Sequence, residues 1–159
     1  MSRESNFVLI LHNIRSVYNV GAIFRTADAA GVTKIYLTGY TPTPLDRFGR
    51  ERKDVAKAAL GAEKFVSWEQ HSSLSYAIAQ LRDEGYKIVA LEQAKNSIDY
   101  KSFKPEKNTA LIVGEERYGI TQDILDQCDS IIEVPMRGTK ESLNVSVATG
   151  IALFRILNI

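Results

Sequence analysis

The residues best able to do chemistry fall in three groups far apart in the chain. Asn19 and Arg25 lie near the start, Glu115 and Glu116 sit between Gly114 and Gly119, and Ser142, Leu143 and Asn144 lie near the end. An arginine presents a planar fork of N–H donors suited to a phosphate or to negative charge developing on oxygen. Amides and carboxylates orient such groups by hydrogen bonding. Each group also has a plain structural alternative. Asn19 and Ser142 suit helix N-caps, Arg25 can pair with Asp28 one turn on, and the two glutamates can be solvated acids in a strand-to-helix loop.

The elements that must position them alternate between strands and helices. Phe7 to Leu11 reads as a buried strand and Asn19 to Ala30 as a helix closed by Gly31, with Asn19 placed as its cap. Further strands are expected at Lys34–Leu37, Lys64–Ser67, Lys87–Leu91, Ala110–Val113 and Ser130–Val134. Helices are expected at Lys53–Leu60, Ser72–Glu84 and Thr121–Gln127, and from about Leu143, with Ser142 as cap, to the C-terminus. This order predicts a single α/β domain over residues 1–159, with a mainly parallel sheet flanked by helices. In such sheets ligands collect beyond the carboxyl ends of the strands, where Gly114 lets a ligand lie against the backbone. The last helix carries two apolar rows, Val147–Ile151–Phe154 and Val145–Ala148–Ala152, and so calls for two packing partners.

Composition narrows the function classes. The chain has 45% hydrophobic and 25% charged residues and a net charge of +1, so any nucleic-acid footprint must be local. The long loop Tyr40–Arg52 supplies one: Arg47, Arg50 and Arg52 are interleaved with Phe48, a pattern that suits phosphates and bases as well as a solvated basic loop. One cysteine, Cys128, and two separated histidines argue against an internal disulfide and a metal site. There is no G-x-G-x-x-G fingerprint for a dinucleotide. Met1–Asn6 lacks the apolar region of a signal peptide, and no stretch approaches the roughly 18 apolar residues of a membrane span, so a soluble cytoplasmic protein is expected.

Taken in order, the three groups resemble the conserved blocks of the SPOUT RNA methyltransferases, in their TrmH-like (SpoU) 2′-O-ribose branch. The resemblance runs from Phe7 to about Phe154. It rests on Asn19-x5-Arg25-Thr26-Ala27-Asp28-Ala29-x-Gly31, Gly114-x-Glu116-x-x-Gly119 and Pro135-Met136-x5-Ser142-Leu143-Asn144-Val145-Ser146. It implies a C-terminal deep trefoil knot, a feature rare enough that nothing in composition predicts it. It also implies S-adenosylmethionine as cofactor, S-adenosylhomocysteine as product, and a homodimer formed through the knot region and C-terminal helix. Cofactor contacts would come from Leu91, Gly114, Gly119, Val134, Met136, Ser142 and Leu143. Catalytic positions would be Arg25, Asn19, Glu116, Ser142 and Asn144, with Glu116 fixing Arg25 or a backbone group. The RNA, transfer or ribosomal, would meet Arg15, Arg25, Arg47, Arg50 and Arg52, without help from an extension domain. A non-catalytic RNA-binding protein that keeps the knotted fold is the competing reading.

Overall fold

A computed structural model describes residues 5–159; Met1–Glu4, and with them most of the N-terminal segment read for a signal peptide, lie outside the described residues. The strands are β1 (Asn6–His12), β2 (Lys34–Thr38), β3 (Ser67–His71), β4 (Lys87–Leu91), β5 (Ile98–Asp99), β6 (Asn108–Val113) and β7 (Ser130–Glu133). The helices are α1 (Val17–Ala30), α2 (Lys53–Ala59), α3 (Leu74–Asp83), α4 (Gln122–Leu125) and α5 (Val145–Leu157). The strands form one sheet in the order β3-β2-β1-β6-β4-β7-β5, and every neighbouring pair is parallel.

Parallel strands are covered on both faces, which is why β1 is apolar from Phe7 through Leu11 without a break. Alternation along each strand then divides the core. Leu9, Leu11, Ile35, Leu37, Leu111 and Val113 face Val20, Ile23, Phe24 and Ala27 of α1 and Leu153 and Ile156 of α5. Val8, Ile10, Ile88, Ala110 and Ile112 face Leu74, Ile78 and Leu81 of α3 and Ile124 and Leu125 of α4.

Several expected boundaries move. Ser16, rather than Asn19, caps α1: its hydroxyl accepts from Asn19 N at 3.1 Å, which places Asn19 inside the first turn. Asn144, rather than Ser142, caps α5, its side-chain oxygen accepting from Ser146 N and Val147 N at 2.9 and 3.3 Å. The strand expected at Lys64–Ser67 lies instead at Ser67–His71, because Ala62–Lys64 is taken by a 3-10 turn. Gly21 turns out to serve packing between helices. A Cβ there would come 2.8 Å from Ala59 N and closer still to the Ala58 side chain, so α2 can lie against α1 only because the position is glycine.

Candidate active site

Three strand ends define a cleft of about 360 Å³: Leu91 ends β4, Val113 ends β6 and Glu133 ends β7. Its walls are the loop after β4, the turn Gly114–Gly119, and the segment from Val134 to Val145 that leads into α5. All seven residues expected to hold a cofactor, Leu91, Gly114, Gly119, Val134, Met136, Ser142 and Leu143, line this one space. The lining combines apolar side chains, Leu91, Val113, Val134, Met136 and Leu143, with the acids Glu92, Glu115, Glu116, Glu133 and Glu141 against a single cation, Arg117. Such a cleft favours a ligand with a flat apolar part and positive charge, and disfavours a polyanion.

The turn after β6 owes its shape to its glycines, for reasons the sequence did not reveal. A Cβ on Gly114 would lie 2.6 Å from Ile120 Cγ1, so the space beside its backbone is filled by the turn itself. Gly119 has a φ of +66°, which strains any other residue, and a side chain there would displace the Glu92 carboxylate. Glu92, absent from the expected site, accepts from Ile120 N at 2.9 Å and from Gln93 N at 3.0 Å. It thereby ties the loop after β4 to the turn after β6.

Beside the cleft, the three groups that are distant in sequence meet. The Asn19 amide donates to Glu116 Oε1 at 3.1 Å, and its oxygen accepts from Asn144 Nδ2 at 3.2 Å. Glu116 also accepts from the backbone N–H groups of Arg15 and Ser16 at 3.4 and 3.5 Å, just ahead of α1. Glu116 therefore holds backbone groups, and Arg25 is not among its partners. Asn19 is 5% exposed, so its amide is committed to this network. Ser142 stands in the cleft wall.

Arg25 lies elsewhere. It is six residues beyond Asn19, about 120° around the helix and about 9 Å along it. It is exposed and lines a separate groove with Tyr18, Ala22, Ala29, Leu60 and Phe154. No ion pair joins it to Asp28 among the described residues. Along α1, Tyr18, Ala22, Arg25 and Ala29 recur at helical spacing on this open face, and α5 adds Val147, Ile151 and Phe154.

The loop Tyr40–Arg52 folds as a small hairpin. A Leu45–Glu51 antiparallel bridge closes it, and Asp46 organises its tip by accepting from Phe48 N, Arg50 N and Arg50 Nε at 2.8, 2.9 and 3.0 Å. These donors hold the Asp46 carboxyl below its ordinary pKa, the Arg50 backbone N–H first among them. Arg52 forms a two-point pair with Asp54 at 3.2 and 2.7 Å. Arg15 lies over the Tyr40 ring, and the Tyr40 hydroxyl donates to Glu115 Oε2 at 2.9 Å. This joins the hairpin side of the molecule to the neighbour of Glu116. The described residues contain no cluster of three or more His, Cys, Asp or Glu placed to hold a metal, and no helix long and apolar enough to cross a membrane.

The fold and the cleft together define a class. The model of the SpoU rRNA Methylase family matches residues 6–154, and the chain belongs to that family. It is 32% identical over 152 residues to the tRNA (guanosine(18)-2′-O)-methyltransferase of Escherichia coli K12, a match covering 96% of this chain and 63% of that relative. It thus spans about three fifths of that relative's length. Among solved structures, the A. aeolicus TrmH/SpoU tRNA modifying enzyme superposes with a TM-score of 0.84 at 29% identity, covering 98% of this chain and 76% of that one. The AdoMet-bound rRNA methyltransferase of Sinorhizobium meliloti superposes with a TM-score of 0.88 at 28% identity, covering 99% and 58%.

Proposed function

We propose that this chain is an S-adenosylmethionine-dependent RNA methyltransferase acting on a ribose 2′-hydroxyl in tRNA or rRNA. The observation that carries the reading is the cleft of mixed acidic and apolar lining at the ends of β4, β6 and β7, bordered by the Asn19–Glu116–Asn144 network. The acidic lining residues suit the two positive centres of the cofactor, and the apolar ones, Leu91, Val134, Met136 and Leu143, suit its adenine. When bound, the cofactor supplies an electrophilic methyl group on a sulfonium. A ribose hydroxyl is a poor nucleophile near neutral pH, so the protein's task is to favour its deprotonated form and hold it in line. Arg25 orients a neighbouring phosphate and stabilises the charge that develops on the 2′-oxygen as the hydroxyl gives up its proton. Asn19 and Asn144 set the position of the nucleotide and of the surrounding loops, and Ser142 orders the cofactor wall.

Arg25 faces away from its own cleft, so the complete site is assembled between two copies of the chain. Supporting this, Val147, Ile151 and Phe154 on α5 and Tyr18 and Leu60 beside Arg25 make an exposed apolar face: Tyr18 is 69% exposed and Val147 49%. A homodimer joined through this face places the Arg25 of one copy near the cleft of the other. The C-terminal segment fits a trefoil knot: β7 lies beyond β4 from β6, yet the chain returns past both loops of the cleft to place α5 on α1. Residues 1–159 act as one catalytic domain in the cytoplasm, with the RNA met by Arg15, Arg25, Arg47, Arg50 and Arg52.

Arg25→Lys tests the role of the planar fork, since it keeps the charge and loses the geometry. Turnover is expected to fall at least tenfold with cofactor affinity unchanged; near-normal turnover removes the fork from the mechanism. A wild-type protein that binds RNA and cofactor but transfers no methyl group supports the non-catalytic alternative.

A further inference from the structure

We infer that the tip of the 45–51 hairpin, with Tyr40 beside it, is a stacking platform for unpaired RNA bases; the inference rests on the proposed function and names the form of RNA the site takes. Phe48 is 65% exposed and Tyr40 51%, and both line a single groove of about 500 Å³ with Arg47, Arg50 and Arg52. Neither ring belongs to the core, so the burial that normally explains an aromatic side chain explains neither of them. The tip is built to hold its shape. Asp46 takes three N–H donors, Gly49 turns the chain at a φ of +77°, and Arg52 N bonds to Pro44 O at 2.9 Å. An aromatic ring has only two side-chain torsions, so on an ordered turn it loses little freedom when a second flat group settles on it.

The charges around the tip argue for stacking over simple attraction to a polyanion. Arg50 is paired with Asp46 and Arg52 with Asp54, which cancels most of the field that the sequence alone attributes to this loop. Among the described residues, only Arg47 of the three has no carboxylate partner. Paired or not, the guanidinium groups lie over the rings: Arg47 and Arg50 stand 4.7 and 5.0 Å from the Phe48 centroid, and Arg15, itself paired with Glu115, stands 5.7 Å from that of Tyr40. Guanidinium and aromatic planes are the surfaces on which unstacked bases rest. In a duplex those base faces are covered by their neighbours, so a duplex cannot use the platform. Its position fits the chemistry as well. Tyr40 reaches Glu115 through its hydroxyl, and Glu115 adjoins the Glu116 network, so bases flanking the target nucleotide lie along the path from cleft to hairpin.

The test is binding of a single-stranded oligoribonucleotide carrying 2-aminopurine, read by fluorescence and repeated with the same strand annealed to its complement. The proteins are the wild type, Phe48→Ala and Phe48→Trp. Phe48→Ala is expected to lose about tenfold in affinity for the single strand, equivalent to about 1.4 kcal/mol of base stacking. Its dependence on salt should be unchanged, because no charge is removed. Phe48→Trp should bind and quench at least as well as the wild type, and the duplex should bind more weakly to all three. Equal affinity of Phe48→Ala and wild type, equal affinity for duplex and single strand, or a flattened salt slope in Phe48→Ala each overturns the platform. Methyl transfer by the wild type, measured alongside, separates the two levels. Transfer with an indifferent Phe48→Ala refutes the platform alone, whereas a wild type that binds neither cofactor nor RNA refutes the reading beneath it as well.

Discussion

Asn19 offers the sharpest test of how the site is held together. Its amide joins two elements that are otherwise remote, donating to Glu116 at 3.1 Å and accepting from Asn144 at 3.2 Å. A neutral hydrogen bond is worth about 1 kcal/mol net and one to a carboxylate about 1.5 kcal/mol. Glu116 and Asn144 are both exposed and regain water when Asn19 is truncated, so the two bonds together contribute about 2 kcal/mol. For a domain of this size Asn19→Ala should therefore lower Tm by roughly 4–8 °C. Asn19→Asp should be worse, because it turns the donor into a second negative charge facing Glu116. The reversed pair, Asn19→Asp with Glu116→Gln, restores a donor and an acceptor between the positions and should recover part of the loss. Thermal unfolding of the four proteins measures this directly. A Tm unchanged in Asn19→Ala, or an Asn19→Asp defect that Glu116→Gln does nothing to relieve, refutes the network as a source of stability.

Other consequences follow from packing, charge and burial. Gly21→Ala forces a methyl group against Ala58 and the backbone at Ala59, and should destabilise by about 1–3 kcal/mol in chemical denaturation; a neutral result means that α2 shifts freely. His12 is half-buried with Nδ1 2.9 Å from the Thr38 hydroxyl, and burial pushes its pKa below the ordinary value, with Glu115 and Asp123 opposing in part. The unfolded chain thus takes up this proton first, so stability is full above about pH 6.5 and declines as pH falls below it. His12→Gln should remove that decline, and identical pH profiles of Tm for variant and wild type would exclude His12 as its source. Burial also pushes the Cys128 thiol up to about 11, so alkylation near neutral pH should be far slower than for a free thiol and should quicken on unfolding.

How much of this was legible in the sequence depends on the range of the signal. The strand Lys87–Leu91 is read with its observed limits because four apolar residues in a row, Ile88 to Leu91, favour a buried strand. The edge strand Ser67–His71 lies past the expected Lys64–Ser67 because Ser-Trp-Glu-Gln-His has no apolar run; it pairs with β2 on one side only and tolerates polar residues. The caps lie within a turn of the expected positions: Asn19 and Ser142 have capping side chains, but Ser16 and Asn144 have the geometry. Asn144 shows why such assignments are incomplete, since it caps α5 with its oxygen while its amide reaches Asn19, 125 positions away. The cleft wall at Leu91, Gly114, Val134 and Leu143 came from motif order, whereas Glu92 and Tyr40 have no local mark. Their roles arise from which loops the sheet order brings together. Arg25 shows the reverse: its motif signal is strong, yet one copy of the chain leaves it outside the cleft.

The central claim is methyl transfer to a ribose hydroxyl. Purified protein should be incubated with unmodified tRNA and rRNA and S-adenosylmethionine carrying a labelled methyl group, and the RNA then hydrolysed in alkali. A 2′-O-methyl group blocks cleavage at its own nucleotide, so label is expected in alkali-resistant dinucleotides and should fall at least tenfold in Arg25→Lys. Label on mononucleotide bases, or cofactor binding with no transfer to either RNA, would contradict it.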